Sequence, residues 1–148
     1  MEIEIRKVGG DDIEEILAIE RASFPTPWME SFFKEELELD VTRAYCARLS
    51  GEDNLLVGYS IAHAVLDELH VLNIATHPDL RRKGIGARLF MYSIEANPQA
   101  RVAYLEVRER NRAARAFYHK MGFRETGRRK RYYSDTHEDA ITMTWMTT

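Results

Sequence analysis

One stretch limits the possible folds of this chain more than any other. Residues 67–87 read DELHVLNIATHPDLRRKGIGA. Val71, Leu72, Ile74 and Ala75 suit a strand buried on both faces, and Pro78-Asp79 end it. Arg81-Arg82-Lys83-Gly84-Ile85-Gly86-Ala87 then runs into the apolar Leu89-Phe90-Met91, so the spacing predicts a strand, a glycine turn and a helix. Glycine allows a sharp turn and a close backbone approach to a ligand. The first N–H groups of a helix lack intrahelical acceptors, and the helix dipole is positive there. Three cations precede this helix start, so the stretch suits a phosphate or pyrophosphate. A tight turn with a solvated basic face is the plainer reading of the same residues. No Gly-Lys-Ser/Thr follows, which excludes a Walker loop. Leu89 stands where a dinucleotide fingerprint needs its third glycine, and Glu95 comes too soon for a ribose contact.

The flanking pattern is that of an α/β protein. Residues 2–8 alternate as a strand. Asp11 or Asp12 can cap a helix with Ile13, Ile16, Leu17 and Ile19 on its apolar side, ending near Phe24. Phe24-Pro25-Thr26-Pro27-Trp28 is a stiff loop, with Thr26 placed to cap a second helix and Pro27 at its first position. Residues 42–49 and 55–66 read as strands around a hairpin turn at Ser50-Gly51-Glu52-Asp53-Asn54. After the glycine loop, the helix ends before Asn97-Pro98. Residues 102–107 form a strand with Val102, Tyr104 and Glu106 on one face. Asn111 opens a last helix that Gly122 stops, and two further strands follow, starting at Phe123 and Ala140. The order β α α β β β α β α β β predicts a mixed sheet. With no repeat or linker, residues 1–148 are expected to form one domain.

Composition narrows the function classes. No run of 18 apolar residues spans a membrane, and Met-Glu-Ile-Glu-Ile-Arg is unlike a signal peptide, so a cytoplasmic location is expected. The single cysteine, Cys46, sits in an apolar run and reads as a buried structural thiol. The five histidines show no metal-ligand spacing, so no metal is expected. The net charge of −3 conceals an asymmetry: residues 81–131 hold fifteen Lys/Arg and four Asp/Glu, while residues 1–40 hold four and twelve. A basic half suggests an anionic ligand, either a phosphorylated cofactor or a nucleic acid.

Glu106 interrupts the apolar run Val102-Ala103-Tyr104-Leu105-Glu106-Val107. A carboxylate in such a place is costly unless paired or functional, and burial would raise its pKa toward the range useful to a general base. A strand-end carboxylate paired with Arg108 or another arginine is the structural alternative. Tyr118 could be a core residue or, at a cleft edge, a proton donor. Asn111 could be only a helix cap or could also bond a cofactor. Phe24 and Trp28 could be core residues or the wall of a pocket.

Arg81-Arg82-Lys83-Gly84-Ile85-Gly86 matches the R/Q-x-x-G-x-G/A pattern and resembles the acyl-CoA pyrophosphate loop of the GNAT N-acetyltransferases. Leu105-Glu106-Val107-Arg108, Asn111, Ala116-Phe117-Tyr118 and Met121-Gly122-Phe123 resemble the ribosomal-protein-alanine (RimI-type) branch of that family. So do Arg131-Tyr132-Tyr133 and Glu138-Asp139-Ala140-Ile141. Leu72-Asn73-Ile74-Ala75 resembles the branch's cofactor strand, and Phe24-Pro25 with Trp28 its substrate loop. The Thr26-Pro27 spacing and the short Asn97-Pro98-Gln99 connection depart from it.

The resemblance implies the GNAT fold, with about seven strands in a mixed sheet and about four helices. It also implies acetyl-CoA as co-substrate. Backbone N–H groups of Arg82, Lys83, Gly84, Ile85, Gly86 and Ala87 would hold the pyrophosphate. Main-chain groups of Ile74, Ala75 and Thr76 would pair with the pantetheine arm, and Asn111 would contact the cofactor further along. Glu106 would be the base and Tyr118 the acid. Phe24, Trp28, Tyr132 and Tyr133 would bracket a protein N-terminus, that of a ribosomal protein. The alternatives are a small-amine acceptor, such as a polyamine or aminoglycoside, and a nucleic-acid-binding module using residues 108–115 and 128–131. No membrane partner and no direct nucleic-acid role are expected.

Overall fold

The computed structural model describes residues 2–51 and 53–147. Glu52, in the expected hairpin turn, lies outside the described residues. The elements are β1 (Ile3–Lys7), α1 (Ile13–Ser23), α2 (Glu30–Leu37), β2 (Thr42–Leu49), β3 (Leu56–Val65) and β4 (Glu68–Thr76). They continue with α3 (Ile85–Ala96), β5 (Val102–Arg108), α4 (Arg112–Lys120), β6 (Arg124–Arg129) and β7 (Ala140–Met146). The expected α/β class and element order are present. Among the described residues one mixed seven-stranded sheet runs β1-β2-β3-β4-β5-β7-β6, and its one parallel pair is β4–β5.

Alternation along the strands sorts the core onto two faces. Ala44 and Cys46 of β2 pack with α1 and with Phe33 of α2, while Tyr45 and Ala47 pack with Ile85 and Leu89 of α3. Phe33 is 1% exposed, so its burial contributes about 2–3 kcal/mol. Cys46 is fully buried, and burial followed by nearby Asp12 pushes its thiol up to about 11. It is an inert core thiol.

Asp12 holds the entry to α1. Its carboxylate accepts from Gly9 N–H at 2.7 Å, from both Arg6 terminal nitrogens at 2.8 Å and from Arg48 at 2.7 Å. Burial alone would raise its pKa. The Arg6, Gly9 and Arg48 hydrogen bonds outweigh that and hold it well below the usual carboxylate range.

Two local expectations are corrected. Helix α2 starts at Glu30 with Met29 as its N-cap, not at Pro27 with Thr26. Thr26 Oγ1 instead donates to Asp135 Oδ2 at 2.7 Å, a partner 109 residues away. Strand β4 is not buried on both faces, because Leu72, Asn73 and Ile74 are half-buried. They line an opening in the sheet.

Candidate active site

The opening begins where two parallel strands part. Pairing of β4 with β5 covers Glu68–Val102, Leu69–Ala103 and His70–Tyr104 only. Beyond that point β5 continues to pair with β7, whereas β4 keeps only β3. A bulge assists the parting. Ile61 of β3 faces Asn73 and Ala62 faces Val71, so Leu72 is the extra residue of β4. The resulting cleft, of about 310 Å³, is lined by Phe24, Trp28, Ile74, Glu106, Asn111, Tyr118, Tyr132 and Tyr133. Those eight predicted residues, from six segments of the chain, are thus brought together. His70, Asn73, Glu20 and Arg108 line it as well. Ala75 and Thr76 continue β4 past the cleft, and residues 82–87 form the turn into α3.

Glu106 comes from the β5 face that alternation turns away from Ala103, Leu105 and Val107. Its side chain is 8% exposed. Oε1 lies 2.8 Å from His70 Nε2, and Oε2 is buried with no hydrogen-bond partner among the described residues. The expected alternative, a pair with Arg108, is not formed. Arg108 instead donates to both carboxylate oxygens of Asp135, at 3.0 and 2.9 Å, and lies 4.0 Å from the centre of the Tyr133 ring.

Tyr118 projects from α4 on the other side of the opening. It is half-buried, and burial, then the neighbouring Tyr133 phenol, pushes its pKa up. A phenol held protonated can donate to a developing anion. Burial first raises Tyr133 as well, to about 12, against the opposing pull of Arg108. Asn111 is the N-cap of α4, accepting from Ala114 N–H at 3.1 Å through Oδ1, so its amide nitrogen remains for a ligand.

The glycine loop divides its labour. Gly84 is the N-cap of α3 at φ 81°, and a Cβ there would meet nothing within 4 Å. Arg82 is also left-handed, at φ 66°. Arg88 N–H donates to Gly84 O at 3.0 Å, so the N–H groups of the first helical turn are the orphan donors. Gly86 serves packing instead of ligand approach, because a Cβ there would sit 2.7 Å from Phe117 Cζ of α4. An unpaired β4 edge leading to free helix N–H groups and three exposed cations fits an amide-bearing arm followed by a pyrophosphate.

One buried carboxylate escaped the sequence reading. Glu20 of α1, 1% exposed, accepts from the Tyr59 hydroxyl, from Asn73 Nδ2 at 2.9 Å and from Trp28 N–H at 2.9 Å. It joins α1, β3, β4 and the Phe24–Trp28 loop. The signal was present, since Glu20 falls four residues after Ile16 and seven after Ile13, on the apolar stripe. His70 gave no comparable signal, because its partner depends on the β4–β5 register.

The basic runs are threaded with acids. Arg115 pairs with Glu125, Arg128 with Glu109 and Asp139, and Arg108 with Asp135. Among the described residues no group of three His, Cys, Asp or Glu is placed to hold a metal, and no helix is long and apolar enough to cross a membrane.

A split mixed sheet with a buried carboxylate on one wall, a phenol on the other and a basic helix start fits group transfer from a phosphorylated donor. Comparison with known proteins specifies the class. A model of the acetyltransferase (GNAT) family matches residues 13–123, and the chain belongs to that family. A Bacillus subtilis protein provisionally named a ribosomal protein bS18-alanine N-acetyltransferase is 37% identical over 147 residues, covering 97% of this chain and 94% of its own. The ribosomal protein bS18-alanine N-acetyltransferase of Salmonella typhimurium is 36% identical over 137 residues, covering 89% of each chain. The crystal structure of the ribosomal-protein-S18-alanine N-acetyltransferase from Escherichia coli superposes with a TM-score of 0.86 at 30% identity, covering 98% of this chain and 94% of that one.

Proposed function

We propose that this protein transfers the acetyl group of acetyl-CoA to the N-terminal α-amine of the alanine that begins ribosomal protein bS18. It acts as one domain over residues 1–148, in the cytoplasm. The acceptor is that of the named relatives at 36–37% identity. The observation that carries the chemistry is the buried Glu106 on the cleft wall, with one oxygen held and the other unpartnered.

The residues divide the work as follows. Backbone N–H groups from Arg82 through Ala87 hold the pyrophosphate, and main-chain groups of Ile74, Ala75 and Thr76 hold the pantetheine arm. Asn111 contacts the cofactor further along. Phe24 and Trp28 on one side, Tyr132 and Tyr133 on the other, bracket the acceptor chain. An α-ammonium has a reference pKa of about 8 and cannot attack while protonated. Glu106 takes its proton, directly or through a water. The freed amine attacks the thioester carbonyl, and a β4 backbone N–H stabilises the oxyanion. The C–S bond then breaks, Tyr118 gives its proton to the leaving thiolate, and the second proton that the nitrogen sheds as the amide forms restores the phenol. Alignment supplies much of the acceleration, and no covalent enzyme intermediate is required.

The test is release of CoA thiol from acetyl-CoA with a peptide copying the start of bS18. The same peptide with a blocked amine, a polyamine and an aminoglycoside are the comparisons. Turnover confined to the free alanine peptide is expected. Equal or faster turnover of the small amines would overturn the acceptor assignment.

A further inference from the structure

We propose that Glu36 of α2 is a specificity-determining residue that takes a cationic side chain of the acceptor chain, from its second to fourth residue, on the open sheet face beside the cleft. The proposal rests on the protein acceptor assigned above. Thr42, His63, His70, Tyr104 and Thr144 pair in succession across β2, β3, β4, β5 and β7. Directly paired residues share one face of a sheet. Their neighbours Leu69, Ala103 and Met143 are buried on the opposite face with Phe90 of α3. The row itself is half-buried from His63 to Thr144. It forms a floor that enters the cleft at His70. Helix α2 reaches this floor at His63, whose Nε2 lies 2.5 Å from Glu36 Oε1.

The side of α2 that bears Glu36 is suited to a basic side chain. Phe32 precedes Glu36 by one helical turn, so the two lie side by side. Phe32 stays 39% exposed although its ring centre is 4.4 Å from that of Trp28, a cleft residue. The Glu36 side chain is only 9% exposed, and His63 holds its Oε1 in place. A ring face one turn from a fixed carboxylate suits a guanidinium, or the stem and head of a lysine.

Charge selects the direction in which the acceptor leaves the cleft. Glu36 and Glu68 stand toward α2 and the start of β4. Arg129 stands toward β6, its guanidinium 5.6 Å from the centre of the Tyr132 ring, while Asp135 takes up the charge of Arg108. Tyr104 lies between them. Burial first, then Glu68 and Glu106, raise its pKa against the opposing pull of Arg129. The floor is therefore negative toward α2, and a basic chain is drawn that way. Terminal arms of RNA-binding proteins are commonly basic, because they neutralise phosphates, and the acceptor is a ribosomal protein. Neighbouring strands are about 4.8 Å apart, so β5 to β3 is about 10 Å, which an extended chain covers in about three residues. With its amine at Glu106, the acceptor brings its second to fourth side chains over His63 and Glu36.

The test is kcat/KM at low ionic strength for alanine-first peptides with alanine, arginine or glutamate placed singly at positions two, three and four. At one of these positions arginine should exceed alanine by about tenfold, the scale of a hydrogen bond to a charged group. The gain should lie in KM, with kcat little changed, and should shrink as salt is added. Glu36→Gln keeps an oxygen for His63 but loses the charge, so it should abolish the arginine preference. Glu36→Lys should make glutamate the preferred residue. Phe32→Leu should cut the arginine advantage by about two- to fivefold. A purely structural role would slow all peptides alike and leave their ratios unchanged. An unchanged arginine-to-alanine ratio in a folded Glu36→Gln, or a wild type indifferent to all three residues at every position, would overturn the proposal. Self-association of the wild type that Phe32→Glu abolishes would place a second copy on this face and overturn it as well. Absence of turnover with every alanine-first peptide would instead overturn the acceptor assignment beneath it, so the failures read differently.

Discussion

Truncating Glu20 should loosen the Phe24–Trp28 loop and destabilise the fold by a calculable amount. Glu20→Ala strands three donors at once: the Tyr59 hydroxyl, Asn73 Nδ2 and Trp28 N–H. Each buried donor left unpaired costs about 1–3 kcal/mol. Tyr59 and Asn73 have side chains that can turn toward each other, whereas the Trp28 N–H is fixed to the backbone. The net loss is therefore about 3–5 kcal/mol, the scale of breaking a buried polar network. For a chain of this size that lowers Tm by roughly 9–15 °C. Glu20→Gln retains one acceptor oxygen, and the Tyr59 hydroxyl can reverse to accept from the new amide, so its loss should be about 1–2 kcal/mol. Urea unfolding measures both. Limited proteolysis between residues 24 and 29 measures the loop. Tyr59→Phe placed on Glu20→Ala removes a stranded donor and should recover stability, giving a coupling of about 1–3 kcal/mol in the double-mutant cycle. A Glu20→Ala protein within about 1 kcal/mol of wild type, with its loop equally resistant to protease, would refute the reasoning.

Three further outcomes are expected. Glu106→Gln and Tyr118→Phe should each lower kcat, the first by about 10²–10⁴, while calorimetry finds acetyl-CoA affinity nearly unchanged. Gly84→Ala places a side chain at φ 81° in open space, so it should cost about 1–2 kcal/mol in stability by denaturation and weaken acetyl-CoA binding in the same calorimetric titration. Asp12 has a folded pKa below its unfolded value of about 3.9, so its contribution is fully present above that pH and lost as pH falls through the folded value. The urea midpoint of the wild type should therefore fall more steeply below about pH 4 than that of Asp12→Asn.

The elements were legible because their signals are local. A strand was expected over 42–49 and another from Ala140, and β2 has those limits and β7 that start. Asn111 and Gly122 marked the ends of α4 from their own side-chain and backbone chemistry. The errors have one cause. Thr26-Pro27 resembles a helix start, but a hydroxyl that bonds Asp135 across 109 residues is not available to cap, and local propensity cannot see the competitor. Leu72 and Ile74 carry the apolar signature of a doubly covered strand. Their half-exposure follows from the loss of the β5 partner, a matter of register. For the same reason Glu106 was legible as an out-of-place acid, while its partner His70 was not.

Strand β5 links the chemistry to the acceptor side. The face that carries Glu106 also carries Arg108, two residues on. Arg108 grips Asp135 through both guanidinium nitrogens, and Asp135 in turn accepts from Thr26 of the loop between α1 and α2. The two segments that flank the cleft, residues 24–28 and 132–135, are thus tied to each other and to the strand that bears the carboxylate. Glu20 fixes the other end of the first loop through Trp28 N–H and, through Asn73, binds it to β4. Both strands at the split therefore hold the loop between α1 and α2, one through an arginine and one through an asparagine. Exposed ion pairs are individually weak, so the arginine tie alone would not hold this geometry. The buried Glu20 network adds three hydrogen bonds that solvent does not screen, and the Thr26 hydroxyl closes the second tie.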